Sequence, residues 1–140
     1  MASERGLSLP QFAKVAEVDE SIDRELDERL VERATTGNVL LESRLAGWLA
    51  TRADLGALRV WIACDEAERA KRVGGRDGHD LRAALAANQE REASERARYL
   101  AYYGIDLTDL SIYDVVLDST STGPPVIVEQ IVAVVTQSPR

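Results

Sequence analysis

The sequence predicts an α/β fold with a mainly parallel sheet, and three observations support this prediction. Short apolar runs at residues 38–43, 58–64 and 114–118 have the length and composition of strands that are buried on both faces. Helical patterns lie between these runs, and strands that alternate with helices favour a parallel sheet. The chain has 140 residues, of which 45% are hydrophobic and only 5% aromatic, so it is long enough for one domain with an aliphatic core.

Two helices are predicted before the first strand. A short helix is expected within residues 8–17, where a serine and a glutamine three residues later form a capping box. A second helix begins near Asp19, has an apolar residue at every fourth position and ends at Gly37, which is typical of a C-terminal cap. The acidic residues Asp23 and Asp27 on this helix are expected to be solvated.

Three further helices are predicted after the second strand. The first occupies residues 66–73 and is expected to end in the glycine-rich segment 74–78, because glycine weakens a helix interior. A long helix follows over residues 80–102 and stops at Gly104. The last helix begins at the Pro124–Pro125 pair, since the first turn of a helix tolerates proline.

Composition excludes several classes of protein. A net charge of −7 disfavours a general duplex-binding protein, which needs a basic face for the phosphates. One cysteine and one histidine allow neither a disulfide framework nor a Cys/His zinc site. No apolar run reaches the roughly 18 residues of a membrane span and no signal pattern begins the chain, so we expect a cytoplasmic protein.

Arginine is strongly preferred over lysine. Lys14 and Lys71 are the only lysines among 17 basic residues. Arginine grips phosphate groups through two parallel hydrogen bonds, whereas a bias of the host's codons or an adaptation to salt gives the same composition.

Arg44 follows the first predicted strand directly. Ligands of open α/β sheets bind beyond the carboxyl ends of the strands, which favours an anion site at this arginine. A surface ion pair with a nearby acid is the alternative interpretation.

Two other groups of arginines are candidates for anion binding. Arg72 and Arg76 flank the glycine-rich segment, where they would either contact a ligand's phosphates or simply complement the dipole of a helix C-terminus. Arg91, Glu95 and Arg98 are spaced four and three residues apart and share one helix face. A solvated face with ion pairs worth about 0.3–0.5 kcal/mol each is the alternative for this face.

Taken in order, several motifs resemble the archaeal type of cytidylate kinase, a family of the P-loop nucleoside monophosphate kinase superfamily. The resemblance extends over nearly all 140 residues. The motifs are GLSL at 6–9, IDRELD at 22–27, ESRLAGW at 42–48, ERAKR at 68–72, REASER at 91–96 and YGIDLTDLSIYD at 103–114. The implied fold is a P-loop kinase-like parallel sheet with flanking helices, in a single domain.

The resemblance implies the transfer of a phosphoryl group from ATP to CMP or dCMP, with Mg²⁺ bound mainly through ATP. Small nucleotides would then be the partners, with no nucleic acid polymer and no membrane. Residues 1–36 would form a helical acceptor-side region, and residues 69–98 a lid and its helix. The implied site residues are Arg44 for the acceptor phosphate, Arg72 and Arg76 in the lid, Arg91 and Arg98 around the moving phosphoryl group, Glu95 holding these arginines, and Asp118 and Ser119 in the loop at the adenine.

One feature of this family is absent from the sequence. The 140 residues contain no G-x-x-x-x-G-K-[ST] motif, so the family's N-terminal strand, P-loop and helix are expected to be missing. The missing strand lies between the strands predicted at 38–43 and 58–64. We therefore expect these residues alone to be unstable and inactive, or to rearrange so that the two strands pair.

Two alternative functions stay open at the level of sequence. One is a shortened paralogue that binds nucleotides without catalysis. The other is a kinase of the same fold that acts on another nucleoside monophosphate, such as AMP.

Overall fold

The computed structural model describes residues 6, 14–15, 18–78 and 80–137, without the side chains of residues 76 and 77. Of the helix predicted within residues 8–17, only residues 14 and 15 are described, and both are helical; its other residues lie outside the described part of the chain. The described elements are α1 (Glu20–Thr35), α2 (Ala46–Arg52), β1 (Val60–Ala63), α3 (Glu66–Asp77), α4 (Leu81–Tyr103), β2 (Val115–Asp118) and α5 (Pro124–Gln137).

Strands β1 and β2 form a parallel sheet, in a register that pairs Val60 with Val115 and Ala63 with Asp118. An ion pair fixes the beginning of this register, since Arg59 donates hydrogen bonds from its backbone and from its guanidinium to the Asp114 carboxylate at 2.8–3.1 Å. These bonds lower the pKa of Asp114. The expected α/β fold, with a parallel sheet and flanking helices, is confirmed.

The prediction of a strand at residues 38–43 is wrong. These residues have no regular structure, and the side chain of Leu40 is 90% exposed rather than buried. Within the described part of the chain β1 pairs with β2 alone, so the alternative pairing of 38–43 with 58–64 does not form either. An apolar run becomes a strand only where a neighbouring backbone accepts and donates its hydrogen bonds, and no described segment takes that position.

The predicted helix ends are confirmed at α1 and α4. The Asp19 carboxylate accepts a hydrogen bond from the Ser21 backbone at 3.0 Å, and the Asp80 carboxylate accepts one from the Ala83 backbone at 2.9 Å. Gly104 ends α4 in the left-handed region, at a φ of 63° that a residue with a Cβ rarely adopts.

The glycine break predicted within 74–78 is also wrong. Helix α3 continues through Gly74 and Gly75 to Asp77 and ends at Gly78, which has a φ of 71°. A glycine in a helix interior costs only about 1 kcal/mol, and α3 packs along α4 with Gly74 buried. Tertiary packing therefore offsets the low helix propensity of these two residues.

Helix α2, which begins at Ala46 just after Arg44, is not predicted by the sequence pattern. Its Gly47 is buried against the ring of Tyr113, and a Cβ at position 47 would lie 2.5 Å from Tyr113 Cε1. Glycine thus allows α2 to approach the segment before β2 closely.

The buried apolar residues of the described part are aliphatic, as expected from the composition, and they lie on helices or directly beside them. They are Ile22, Leu45, Ala70, Ala84, Ile105 and Ile127. Among the described helices, none combines the length and the apolar character needed to cross a bilayer.

Candidate functional site

A cavity of about 270 Å³ lies at the carboxyl ends of the two strands. Two contacts place it there: Arg69 donates to the backbone carbonyl of Cys64, directly after β1, and Arg72 donates to that of Ser119, directly after β2. The cavity is lined by Arg44, Arg69, Arg72, Val73, Asn88, Arg91 and Glu92. Four guanidinium groups therefore surround one small space, at the edge where open α/β sheets bind ligands.

Arg44 reaches this cavity from the segment before α2. Its Nε lies 2.7 Å from Oε2 of Glu95, and its Nη2 lies 4.0 Å from Oε1 of Glu92. The two carboxylates are three residues apart on α4 and thus share a face. The Arg44 side chain remains 39% exposed, so its guanidinium is held by the protein and is still accessible to an anion.

Arg72 joins α3 to the loop after β2. Its Nε donates to Glu68 at 3.0 Å, while its Nη2 and Nη1 donate to the carbonyl and the hydroxyl of Ser119 at 2.6 and 3.3 Å. The hydrogen bond from Arg72 lowers the pKa of Glu68. In the same loop, Asp118 accepts a hydrogen bond from the Thr120 backbone at 2.8 Å. The residues that the resemblance places near the donor nucleotide, Arg72, Asp118 and Ser119, thus lie together.

Arg91 and Glu95 are neighbours on α4. Arg91 Nε donates to Glu95 Oε1 at 2.9 Å, and the Arg91 side chain is 69% exposed. Glu95 is 10% exposed and lies between Arg91 and Arg44. It therefore joins Arg91 to Arg44, whereas the resemblance implies that it holds Arg91 and Arg98.

Of the four arginines that line the cavity, Arg69 is the one to which sequence analysis gave no role. Its Nη1 donates to the Cys64 carbonyl at 2.8 Å and its Nη2 to Glu92 Oε2 at 3.0 Å. The sequence signal was present: Arg69 lies three residues before Arg72, so the two share a face of α3.

Arg98 does not line the cavity. It lies two turns beyond Arg91 on α4, where it donates to Asp23 of α1 at 2.9 Å and to Ser94 at 3.0 Å. Its side chain is only 15% exposed. The structure thus brings Arg44, Arg72, Arg91 and Glu95 together and leaves Arg98 elsewhere. Position 76 lies in the last turn of α3, and its side chain is outside the description.

The expectation that Asp23 and Asp27 are solvated is wrong. Both are buried, at 8% and 9% exposure, and Arg98 and Tyr103 of α4 supply hydrogen-bond partners for them. Tyr103 donates to Asp27 Oδ2 at 2.6 Å. Burial raises the pKa of Asp27, with a further increase from Asp23 that the Tyr103 hydrogen bond opposes. Asp23, Asp27, Arg98 and Tyr103 form what we call the α1–α4 polar cluster.

The charge pattern of the cavity indicates its ligand chemistry. Guanidinium groups with planar donor forks bind phosphate and carboxylate oxygens. Among the described residues, no group of three or more histidine, cysteine, aspartate or glutamate side chains is arranged to hold a metal ion. The parallel sheet, its flanking helices and this cationic cavity define the class: an α/β fold of the P-loop kinase type.

Comparison with known proteins defines the family. The model of the cytidylate kinase-like family matches residues 2–121. A cytidylate kinase of Pyrococcus abyssi is 47% identical over 124 residues, which cover 89% of this chain and 67% of the relative. Those of Pyrococcus horikoshii and Methanopyrus kandleri are 45% and 46% identical, over 89% and 86% of this chain and 63% and 66% of the relatives. The chain belongs to the cytidylate kinase-like family. It spans about two thirds of the length of the curated relatives it matches.

Proposed function

We propose that this chain takes part in the transfer of the terminal phosphoryl group of ATP to CMP or dCMP, which yields ADP and CDP or dCDP. The observation that supports this most directly is the cavity at the strand ends, where four guanidinium groups from three segments converge. The acceptor is proposed from the relatives, which are named cytidylate kinases.

Six of the residues that the resemblance implies have a part in this proposal. Phosphoryl transfer requires alignment of the two nucleotides and cations around three equatorial oxygens, and little covalent help from the protein. Arg44 holds the acceptor's phosphate, Arg91 stabilises the moving phosphoryl group, and Glu95 keeps both guanidiniums oriented. Arg72 with Asp118 and Ser119 forms the donor side.

Two further arginines belong to the proposal by resemblance. Arg76 is a lid residue, four positions after Arg72 on α3. The resemblance implies that Arg98 lies beside the moving phosphoryl group, whereas in the structure it pairs with Asp23. A catalytic contact from Arg98 therefore requires that ion pair to open.

In this proposal Mg²⁺ is bound through the donor, ATP. Mg²⁺ carried on the phosphates of ATP neutralises part of their charge. The described residues contribute cations and not a cluster of acids, so their part in the reaction is to position the phosphates and exclude water from them.

Because the 140 residues contain no P-loop motif and are expected to be inactive alone, the direct test is turnover of Mg·ATP, with a panel of acceptors, by a protein in which a strand, P-loop and helix precede them. We expect CDP and dCDP to form from CMP and dCMP, with lower kcat/KM for UMP and AMP. A kcat/KM for AMP at least tenfold above that for CMP, equivalent to about 1.4 kcal/mol of transition-state preference, would contradict the cytidylate assignment. Nucleotide binding without turnover would support a binding protein instead of a kinase.

Variants of the cavity test the residue roles. Arg44→Ala is expected to raise KM for CMP, whereas Arg91→Ala lowers kcat because its contact strengthens in the transition state. Arg82→Ala is the control for Arg91→Ala. Arg82 also lies on α4 and carries the same charge, but it is on about the opposite side of the helix from Arg91. Full activity of both cavity variants would show that these assignments are wrong.

A further inference from the structure

We propose that Arg69 is a positioning residue: it occupies Glu92 and so prevents that carboxylate from drawing Arg44 away from the acceptor's phosphate. The inference rests on the proposed function of Arg44. It concerns two residues, Arg69 and Glu92, that the motif analysis left without a role.

The distances around Glu92 support this arrangement. Arg69 Nη2 binds Glu92 Oε2 at 3.0 Å, while the other oxygen, Oε1, lies 4.0 Å from Arg44 Nη2. Arg44 instead contacts Glu95 at 2.7 Å. Glu92 therefore has two cations within reach and makes its close ion pair with only one of them.

Glu92 cannot remain without a partner at low cost. Its side chain is 18% exposed, and a carboxylate that is largely removed from water is strongly destabilising when its cation is deleted. Arg44 is already at 4.0 Å, so a small rotation of its guanidinium replaces the lost partner. That rotation separates Arg44 from Glu95. Glu92 then competes with the ligand's phosphate for Arg44.

Arg69 is anchored in a way that suits a positioning role. Its Nη1 donates to the Cys64 carbonyl at 2.8 Å, directly after β1, so the guanidinium is fixed to the sheet. Its Nε is buried without a hydrogen-bond partner.

Glu95 belongs to the same constellation. Its Oε2 is the other side-chain atom in the described part of the chain that is buried without a hydrogen bond, although Arg44 Nε lies 2.7 Å away in an ion pair. Both unsatisfied atoms thus belong to carboxylate–arginine pairs around Arg44. These two ion pairs therefore hold Arg44 in position, although each leaves one buried polar atom without a hydrogen bond.

The test is titration of the protein with CMP alone, without ATP, by calorimetry. Arg69→Met is expected to raise the Kd for CMP about tenfold, because Glu92 then captures Arg44. Glu92→Gln alone gives the reference Kd for loss of that carboxylate. The decisive variant is the double, R69M/E92Q, which removes the competing charge and is expected to restore the Kd to within about threefold of wild type. Arg82→Met is the control for loss of a cation from the surface.

A merely structural role for Arg69 predicts no such rescue. A double variant as weak as R69M, or an R69M variant that binds CMP like wild type, would overturn the inference. If R69M does not melt cooperatively, Arg69→Lys replaces it as the starting variant; its smaller loss of affinity should likewise be removed by E92Q, and a loss that E92Q leaves unchanged overturns the inference.

The outcomes also separate this inference from the proposed function. Wild-type protein that binds and phosphorylates CMP while E92Q fails to rescue R69M overturns the role of Arg69 alone. Wild-type protein that neither binds nor phosphorylates CMP overturns the proposed function, and the inference with it.

Discussion

The cavity at the strand ends and the α1–α4 polar cluster both contain arginine–carboxylate ion pairs, yet these pairs differ in exposure. Arg91 and Arg98 show the difference on one helix: both donate their Nε to a carboxylate at 2.9 Å, but their side chains are 69% and 15% exposed. An exposed guanidinium is available to a ligand, whereas a buried one is committed to its partner. Exposure, and not residue type, therefore distinguishes the two regions.

Their energetic contributions should differ accordingly. Exposed ion pairs contribute about 0–1 kcal/mol to stability because water screens them. Breaking a buried pair leaves one charge without solvent or partner, which costs much more. Four predictions test this contrast, from the largest expected effect to the smallest.

Removing one partner of the buried pair should have the largest effect. Arg98→Met leaves Asp23 buried without its cation, and we expect the free energy of unfolding to fall by about 3 kcal/mol. Urea denaturation measures it. The double variant R98M/D23N should lose less than the sum of the single losses, and strictly additive losses would show that the pair does not couple α1 to α4.

The hydrogen bond between Tyr103 and Asp27 should contribute less. Tyr103→Phe deletes the donor at 2.6 Å from a buried carboxylate, with an expected loss of about 1.5 kcal/mol. Tyr102→Phe, on the neighbouring residue, is the control in the same denaturation experiment. An unchanged stability of Y103F would mean that Asp27 finds an equivalent donor.

The raised pKa of Asp27 predicts a specific dependence of stability on pH. Burial raises this pKa above its ordinary 3.8, so the folded state holds the proton more tightly than the unfolded state. The resulting stabilisation is complete below the ordinary pKa and is lost as pH rises through the folded pKa. Asp27→Asn, which has no such proton, should therefore gain stability relative to wild type as pH rises from the ordinary pKa of 3.8 through the raised pKa of Asp27 in the folded state. A constant difference across this range would contradict the prediction.

Arg91→Ala should have the smallest effect on stability. Because its side chain is 69% exposed, we expect the free energy of unfolding to change by no more than about 0.5 kcal/mol. The same denaturation experiment applies, with Arg82→Ala beside it. A loss above about 2 kcal/mol would show that the cavity cluster holds the fold together and would erase the contrast between the two regions.

Much of the local structure could be predicted because its causes lie within a few residues. Asp19 and Asp80 accept hydrogen bonds from backbone groups two and three residues later. The beginnings of α1 and α4 can therefore be predicted from a few neighbouring residues. The same holds for Gly104, whose positive φ ends α4. The apolar runs that became β1 and β2 are likewise local patterns.

The candidate site was predicted in part. Arg44 was named because it follows residues 38–43, which form no strand in the structure, whereas Arg72 was named beside glycines and Arg91 and Glu95 on a helix face. All four lie together around the cavity. Arg69 was missed because its partners, the Cys64 carbonyl and Glu92, are 5 and 23 residues away in the chain. Arg98 shares the helix of Arg91, but its position is decided by Asp23, which is 75 residues away.

The sequence by itself determined the class of fold, the ends of the main helices and the set of arginines from which the cavity is built, because spacing, capping and side-chain chemistry are local properties. Only the tertiary structure decided that residues 38–43 form no strand, that α3 continues through Gly74 and that Asp23 and Asp27 are buried. Each of these outcomes depends on a distant segment, which supplies or withholds a hydrogen-bond partner, a packing surface or a counter-charge.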